Sequence, residues 1–134
     1  GDDDLGFCEI ACRPGGTRVV KTLENHSGVN LDRALAGLVL EQAPLPHASG
    51  AVPSGWLVIP PRPGRVAAME LVRGEPWIKE MRVAGQPGTQ LGRAKKSGDY
   101  LVTYVLQGDS EEEVRRRLVA LGDTVSASIV MEGT

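Results

Sequence analysis

Gly6-Phe7-Cys8-Glu9-Ile10-Ala11-Cys12-Arg13-Pro14-Gly15-Gly16 is the stretch that decides how this chain is read, because an alternating segment there runs into a glycine turn. Over residues 5–13, Cys8, Ile10 and Cys12 face one way while Phe7, Glu9, Ala11 and Arg13 face the other, the two-residue period of a strand with one core side and one charged side. Pro14-Gly15-Gly16 interrupts it, and residues 17–23, with Val19 and Val20, read as a second extended segment. The expected unit is strand, glycine turn, extended segment.

The same stretch is where acid, base and glycines combine. A carboxylate at Glu9, held by a strand to within a rotamer, is suited to bind Mg²⁺ as a hard oxygen ligand beside nucleotide phosphates. Arg13 lies on the same face about 13 Å further along, too far to bond Glu9 but suited to grip the far end of a phosphate-bearing ligand. Gly15 and Gly16 let backbone N–H groups approach an anion without obstruction by a Cβ. The plainer reading of the pair is a solvated or mutually paired Glu and Arg on an exposed strand face. Cys8 and Cys12, also about 13 Å apart on a strand, cannot close a disulfide, and they read as small buried apolar residues.

Outward from this stretch the pattern changes to helix and then to short strands. Asn30 is a good N-cap, and Leu31, Ala34, Leu35, Leu38 and Val39 recur at helical spacing to about Gln42. Residues 43–54 carry prolines, serines and a glycine, which suits a linker and a boundary near residue 50. Strands are expected at 56–59, 66–72, 77–83 and 100–106. Ser110 with Glu113 forms a capping box, Val114, Leu118 and Leu121 an apolar stripe, and Gly122 a stop; residues 125–131 read as a final strand. The fold class is α+β, a mostly antiparallel sheet with two main helices.

Bulk properties narrow the function classes. At 134 residues the chain is large enough for one core, and its 41% hydrophobic content contains no run long enough for a membrane helix. A net charge of −2 lacks the broad basic field that nucleic acids call for, the cluster at Arg115, Arg116 and Arg117 being local. No membrane and no nucleic-acid partner is expected, and a cytoplasmic location is the default. His26 and His47 read as surface or hydrogen-bonded structural residues, and Trp56 and Trp77 as packing residues.

"CEIACRPGG", followed about a dozen residues later by "SGVNLDRALAGLVLEQ", resembles the end of the catalytic core of the ATP-grasp superfamily of ligases. That pattern runs Glu-x-Asn/small-x-Arg-x-Gly-Gly and then a Gly-Val/Ile-Asp/Asn-Leu helix start. Downstream, "GWLVIPPRPGRVAAMELV" and "SGDYLVTYVLQGDSEEEVRRRL" look like the small β-rich C-terminal subdomain of the branch that joins amino acids. The resemblance implies a C-terminal fragment of an ATP-grasp fold, with residues 1–48 ending the catalytic core and residues 49–134 forming the C-terminal subdomain.

By the same resemblance Glu9 is the magnesium ligand and Arg13 the catalytic arginine that stabilises an acyl-phosphate intermediate. Gly15, Gly16 and Thr17 bind substrate, Thr17 shaping an amino-acid pocket. Where the widespread pattern has a metal-binding Asn, this chain has Ala11, a departure that fits the amino-acid-ligase branch. The implied parent uses ATP and Mg²⁺ to join a small carboxylate or amino-acid substrate to an amine, and a homo-oligomer is allowed. The implied partner is the rest of the ATP-grasp core, since the nucleotide-binding lysines and the strand before "DDDLG" are expected upstream; alone, the chain is expected not to turn over ATP. Two rivals stand beside this reading: a biotin-carboxylase-like or purine-pathway ligase, and a non-catalytic binding or assembly module.

Overall fold

The computed structural model describes residues 16–41, 50–96 and 98–132. The strand expected over residues 5–13, both cysteines, His47 and residues 43–49 of the expected linker lie outside the described residues.

The first described element corrects the sequence reading. Residues 17–23 were expected to be extended, yet a helix, α1, spans Val19–Ser27. The β-branched Val19, Val20 and Thr22 suggest a strand, but burial against a sheet outweighs that preference. As a helix the segment places Arg18 and Thr22 one turn apart, and both are buried. The Thr22 hydroxyl donates to the Arg18 carbonyl at 2.8 Å, and the Ser27 hydroxyl to that of Leu23 at 2.7 Å, so these polar groups are satisfied inside the helix. Gly28, with φ 73°, ends α1 and donates its N–H to the Glu24 carbonyl at 2.8 Å. Asn30 then caps α2, Leu31–Ala36, as the sequence indicates, its side-chain oxygen accepting from the Arg33 N–H at 2.8 Å. A wider π-type turn, Gly37–Glu41, prolongs α2.

Two antiparallel three-stranded sheets follow. The first has the order β1-β5-β3, with β1 at Ser54–Ile59, β3 at Ile78–Val83 and β5 at Val102–Gln107. The second has the order β4-β2-β6, with β2 at Gly64–Ala68, β4 at Gln90–Leu91 and β6 at Val130–Glu132. The strand expected at 66–72 is shorter: its register slips between Val66 and Ala68, and beyond that Met69, Leu71 and Val72 pack on the core outside any strand.

The last helix, α3, spans Glu111–Ser128 and starts as expected. The Ser110 hydroxyl accepts from the Glu113 N–H at 3.2 Å, and the Glu113 carboxylate accepts from the Asp109 N–H at 2.7 Å. It does not stop at Gly122. The apolar stripe continues to the buried Val125, while Gly122 lies against Leu57 of β1, so this glycine serves close packing rather than termination. The final strand expected over 125–131 is therefore only β6.

The α+β class, antiparallel sheets with helices, is as expected, with α1 as an additional helix. The core lies between α3 and the face of the first sheet that carries Ile59, Tyr104 and Leu106. Gly55 lets α3 sit down on β1, since a Cβ there would come within 2.9 Å of both Val114 and Leu118. The opposite face carries Thr103 and Val105, both fully buried, and α1 covers it. Among the described residues no helix is long and apolar enough to cross a membrane.

Gly64 begins β2 with φ 126°, and a Cβ there would meet the Glu132 backbone carbonyl at 2.8 Å. Gly64→Ala should lower unfolding free energy by about 3 kcal/mol in urea titration, at the upper end for a strained backbone with a backbone clash added. Gly74→Ala, at φ 78° but with open space around it, should lose only about 1 kcal/mol. Equal losses would show that the β2–β6 contact is not what requires a glycine.

Candidate functional site

Of the sequence-derived site residues, Glu9, Arg13 and Gly15 lie outside the described residues, and Gly16 and Thr17 form the turn that leads into α1. Gly16 is exposed, and a Cβ on it would meet nothing within 4 Å, so its face opens outward. Its carbonyl accepts from the Val19 N–H at 3.3 Å and closes the turn. Thr17 is exposed and holds φ 57°, the sole non-glycine at positive φ among the described residues. A β-branched residue in that region costs roughly 1–2 kcal/mol, a strain that persists only where the surroundings over-determine it.

Those surroundings are supplied by Arg18, which the sequence reading passed over. Its side chain is 7% exposed and runs under α1 to form an ion pair with Glu80 on β3. The Glu80 carboxylate, 20% exposed, also takes the Arg82 Nε–H at 2.7 Å. Burial works against the charge on Glu80, but the hydrogen bonds from Arg82 and Arg18 outweigh it and hold this carboxyl below its ordinary range. Arg82 stands opposite Thr103 in the β3–β5 register, and Glu80 opposite Val105, so the pair occupies the sheet face that α1 covers. Two polar atoms there, Arg18 Nε and Thr103 Oγ1, are buried without a hydrogen-bond partner.

Nothing in the local pattern singles out Arg18, because residues four apart share a face on a strand as well as on a helix, and its burial depends on Glu80 far along the chain. Read as a strand, Arg18 looks solvated. Farther along α1, Asn25 donates to the Ser54 hydroxyl at 2.6 Å, and the His26 ring meets the Val52 carbonyl at 2.7 Å, the hydrogen-bonded structural role expected for that histidine. Trp77 is half-buried beneath the Arg117 guanidinium, 5.3 Å from its ring centre, a packing role as anticipated.

No group of three His, Cys, Asp or Glu side chains among the described residues could hold a metal ion. A hollow of about 650 Å³ opens between residues 69–73 and 83–89, and none of its lining residues belongs to the 16–18 turn. Glu70, Arg73, Gln86 and Thr89 are among its lining residues, but the turn before α1 is the candidate that the sequence motif marks.

With this geometry in place, comparison with known proteins is informative. Residues 56–130 match the family model described as L-amino acid ligase C-terminal domain 2. No curated protein matches the chain. In fold it is similar to the crystal structure of phosphoribosylglycinamide synthetase from Anaerococcus prevotii, with a TM-score of 0.66 at 11% identity over 88% of this chain and 31% of that one. It is also similar to L-amino acid ligase from Bacillus licheniformis, with a TM-score of 0.59 at 14% identity over 86% of this chain and 29% of that one. The fold is thus that of the C-terminal parts of ATP-grasp ligases, and the chain spans under a third of the length of either structure.

The lowered Glu80 pKa has a definite sign for stability. A depressed carboxyl contributes stability that is present above its unfolded pKa, near 4.3, and is lost as pH falls through the folded value. Unfolding free energy should therefore decline as pH drops from about 5 toward 3, and Glu80→Gln should flatten that decline; identical pH profiles for the two proteins would contradict the pairing.

Proposed function

The chain belongs to the L-amino acid ligase C-terminal domain 2 family, and from this we propose that it is the C-terminal part of an ATP-dependent carboxylate–amine ligase. In the parent, a substrate carboxylate oxygen attacks the γ-phosphorus of ATP and releases ADP. An amine, that of an amino acid, then attacks the acyl phosphate, and phosphate leaves as the amide forms. Residues 1–48 would close the catalytic core and residues 49–134 form the C-terminal subdomain, in a cytoplasmic enzyme.

The observation that carries this reading is the strained turn. Thr17 holds a left-handed conformation directly after the glycine pair and directly before a helix whose first residues are anchored to the sheet. Strain held in place this way is characteristic of ligand-contacting segments. Gly15 and Gly16 would present backbone N–H groups to substrate oxygens, and Thr17 would form a wall of the amino-acid pocket. Arg13 would offset charge on the transferred phosphoryl group and on the oxyanion that follows. Glu9 is the metal ligand proposed for this chain, and Mg²⁺ bound there would neutralise phosphate charge.

A partner surface fits the same proposal. Leu38, Val39 and Leu40 are 46%, 68% and 80% exposed, three consecutive apolar side chains of a kind that further protein from the ATP-grasp core would cover. The purine-pathway rival has the higher TM-score, but fold likeness at such low identity does not choose a substrate. The family match and Ala11 both favour the amino-acid branch.

In the full-length parent, Arg13→Ala should lower kcat for amino-acid-dependent ADP release by about 100-fold or more, the effect of removing one contact to developing transition-state charge. The 134-residue chain by itself should release no ADP. A coupled ADP assay checks both, and a kcat within a few-fold of wild type would remove Arg13 from the mechanism.

A further inference from the structure

We propose that Arg18 and Glu80 are positioning residues: their ion pair, braced by Arg82, clamps the Gly16–Thr17 turn onto the first sheet and so sets the shape of the substrate pocket that the turn borders. The clamp itself is read from the geometry, whereas its bearing on a pocket rests on the ligase reading above.

Arg18 is gripped at both ends. Its carbonyl accepts from both the Thr22 N–H at 2.9 Å and the Thr22 hydroxyl at 2.8 Å, which fixes its backbone at the head of α1. Its guanidinium reaches Glu80 beneath the helix. Thr17 is one peptide bond away, so the left-handed turn inherits the position of Arg18 on one side and is closed by the Gly16–Val19 bond on the other. Arg18 has backbone angles φ −112° and ψ 8° and makes no side-chain capping bond at the helix start, its guanidinium reaching to Glu80 instead.

The choice of residues argues for a positional role rather than for bulk stability. A well-packed apolar pair of similar volume is often as stable as a buried ion pair, or more so, while an ion pair enforces one geometry. The guanidinium here is nearly sequestered, yet one of its nitrogens lacks a hydrogen-bond partner, so the arrangement is not the cheapest way to fill the space. Glu80 also joins two chain segments far apart in sequence, the turn before α1 and the middle of β3. Any movement of β3 would thereby be passed to Thr17.

The test uses Glu80→Gln, which keeps shape and removes charge, and Arg18→Met, which keeps the aliphatic stem. In the chain itself, amide exchange and the HN–Hα coupling of Thr17 are followed by NMR, with the amides of β5 and α3 as reference. Both variants should speed exchange at Val19 and Thr22 by about tenfold more than at β5 and α3, whose amide pattern is retained, and shift the Thr17 coupling. An unchanged Thr17 coupling and unchanged exchange at Val19 would overturn the clamp whatever the parent enzyme does. Collapse of the β5 amide pattern in both variants would overturn it too, by showing the pair to be a support for the whole fold.

In the parent, with ATP, Mg²⁺ and an equimolar mixture of the standard L-amino acids as the probe, Glu80→Gln should raise the half-saturating amino-acid concentration about tenfold against a smaller change in kcat, as for other residues that orient a binding group. A displaced turn with unaltered half-saturation would overturn the link to the pocket. A displaced turn in a parent that forms no ADP, wild type included, would uphold the clamp and overturn the ligase reading instead.

Discussion

Strand β5 lies between β1 and β3, and every residue from 101 to 106 is buried. A strand covered on both faces must supply apolar surface on both, and Leu101-Val102-Thr103-Tyr104-Val105-Leu106 does so with a single hydroxyl on the face beneath α1. Tyr104 and Leu106 face α3, while Thr103 and Val105 face α1. The position of each helix is therefore referred to the same six residues. Arg117 adds a polar tie at one end of this arrangement: it donates to the Gln107 carbonyl at 2.6 Å, pairs with Glu113 at 2.7 Å and lies over Trp77, so α3, the exit of β5 and the entry to β3 meet at one guanidinium.

The candidate site stands at the edge of this frame and borrows its rigidity. A turn with a β-branched residue at positive φ is not self-supporting, and the local bond between Gly16 and Val19 is long at 3.3 Å. Next to it lies a tertiary contact, a buried arginine engaged by an acid on β3. The Arg18–Glu80 contact thus ties the turn before α1 to the part that matches the L-amino acid ligase C-terminal domain 2 family, while the hydrogen bonds of Asn25 and His26 reach Ser54 and Val52 just ahead of it.

Much of the fold was legible where local chemistry is decisive. The caps at Asn30 and Ser110 announce α2 and α3 through side-chain bonds to the first turn, and short runs bounded by glycine and proline mark β1, β3 and β5. Failures came where a distant partner decides. Val19, Val20 and Thr22 favour extension by themselves and are helical because sheet and helix bury Arg18 and Thr22 together. Gly122 looks like a terminator and is instead a contact point for Leu57. Gly16 and Thr17 are candidates by their motif alone, whereas no motif points to Arg18, whose burial goes with an acid in another strand far along the chain.

The second sheet has one further implication, for the order of events during synthesis. Its middle strand, β2, is flanked by β4 and by β6, and β6 comprises residues 130–132, directly after α3. Until that segment has emerged from the ribosome, β2 has an unpaired edge, and Gly64 faces the place its carbonyl partner will occupy. The first sheet can assemble as soon as β5 is available, whereas the second must wait for almost the last residues described. A nascent chain halted between the two would carry one finished layer and one adhesive strand, which makes that interval the vulnerable one for mispairing with a neighbour.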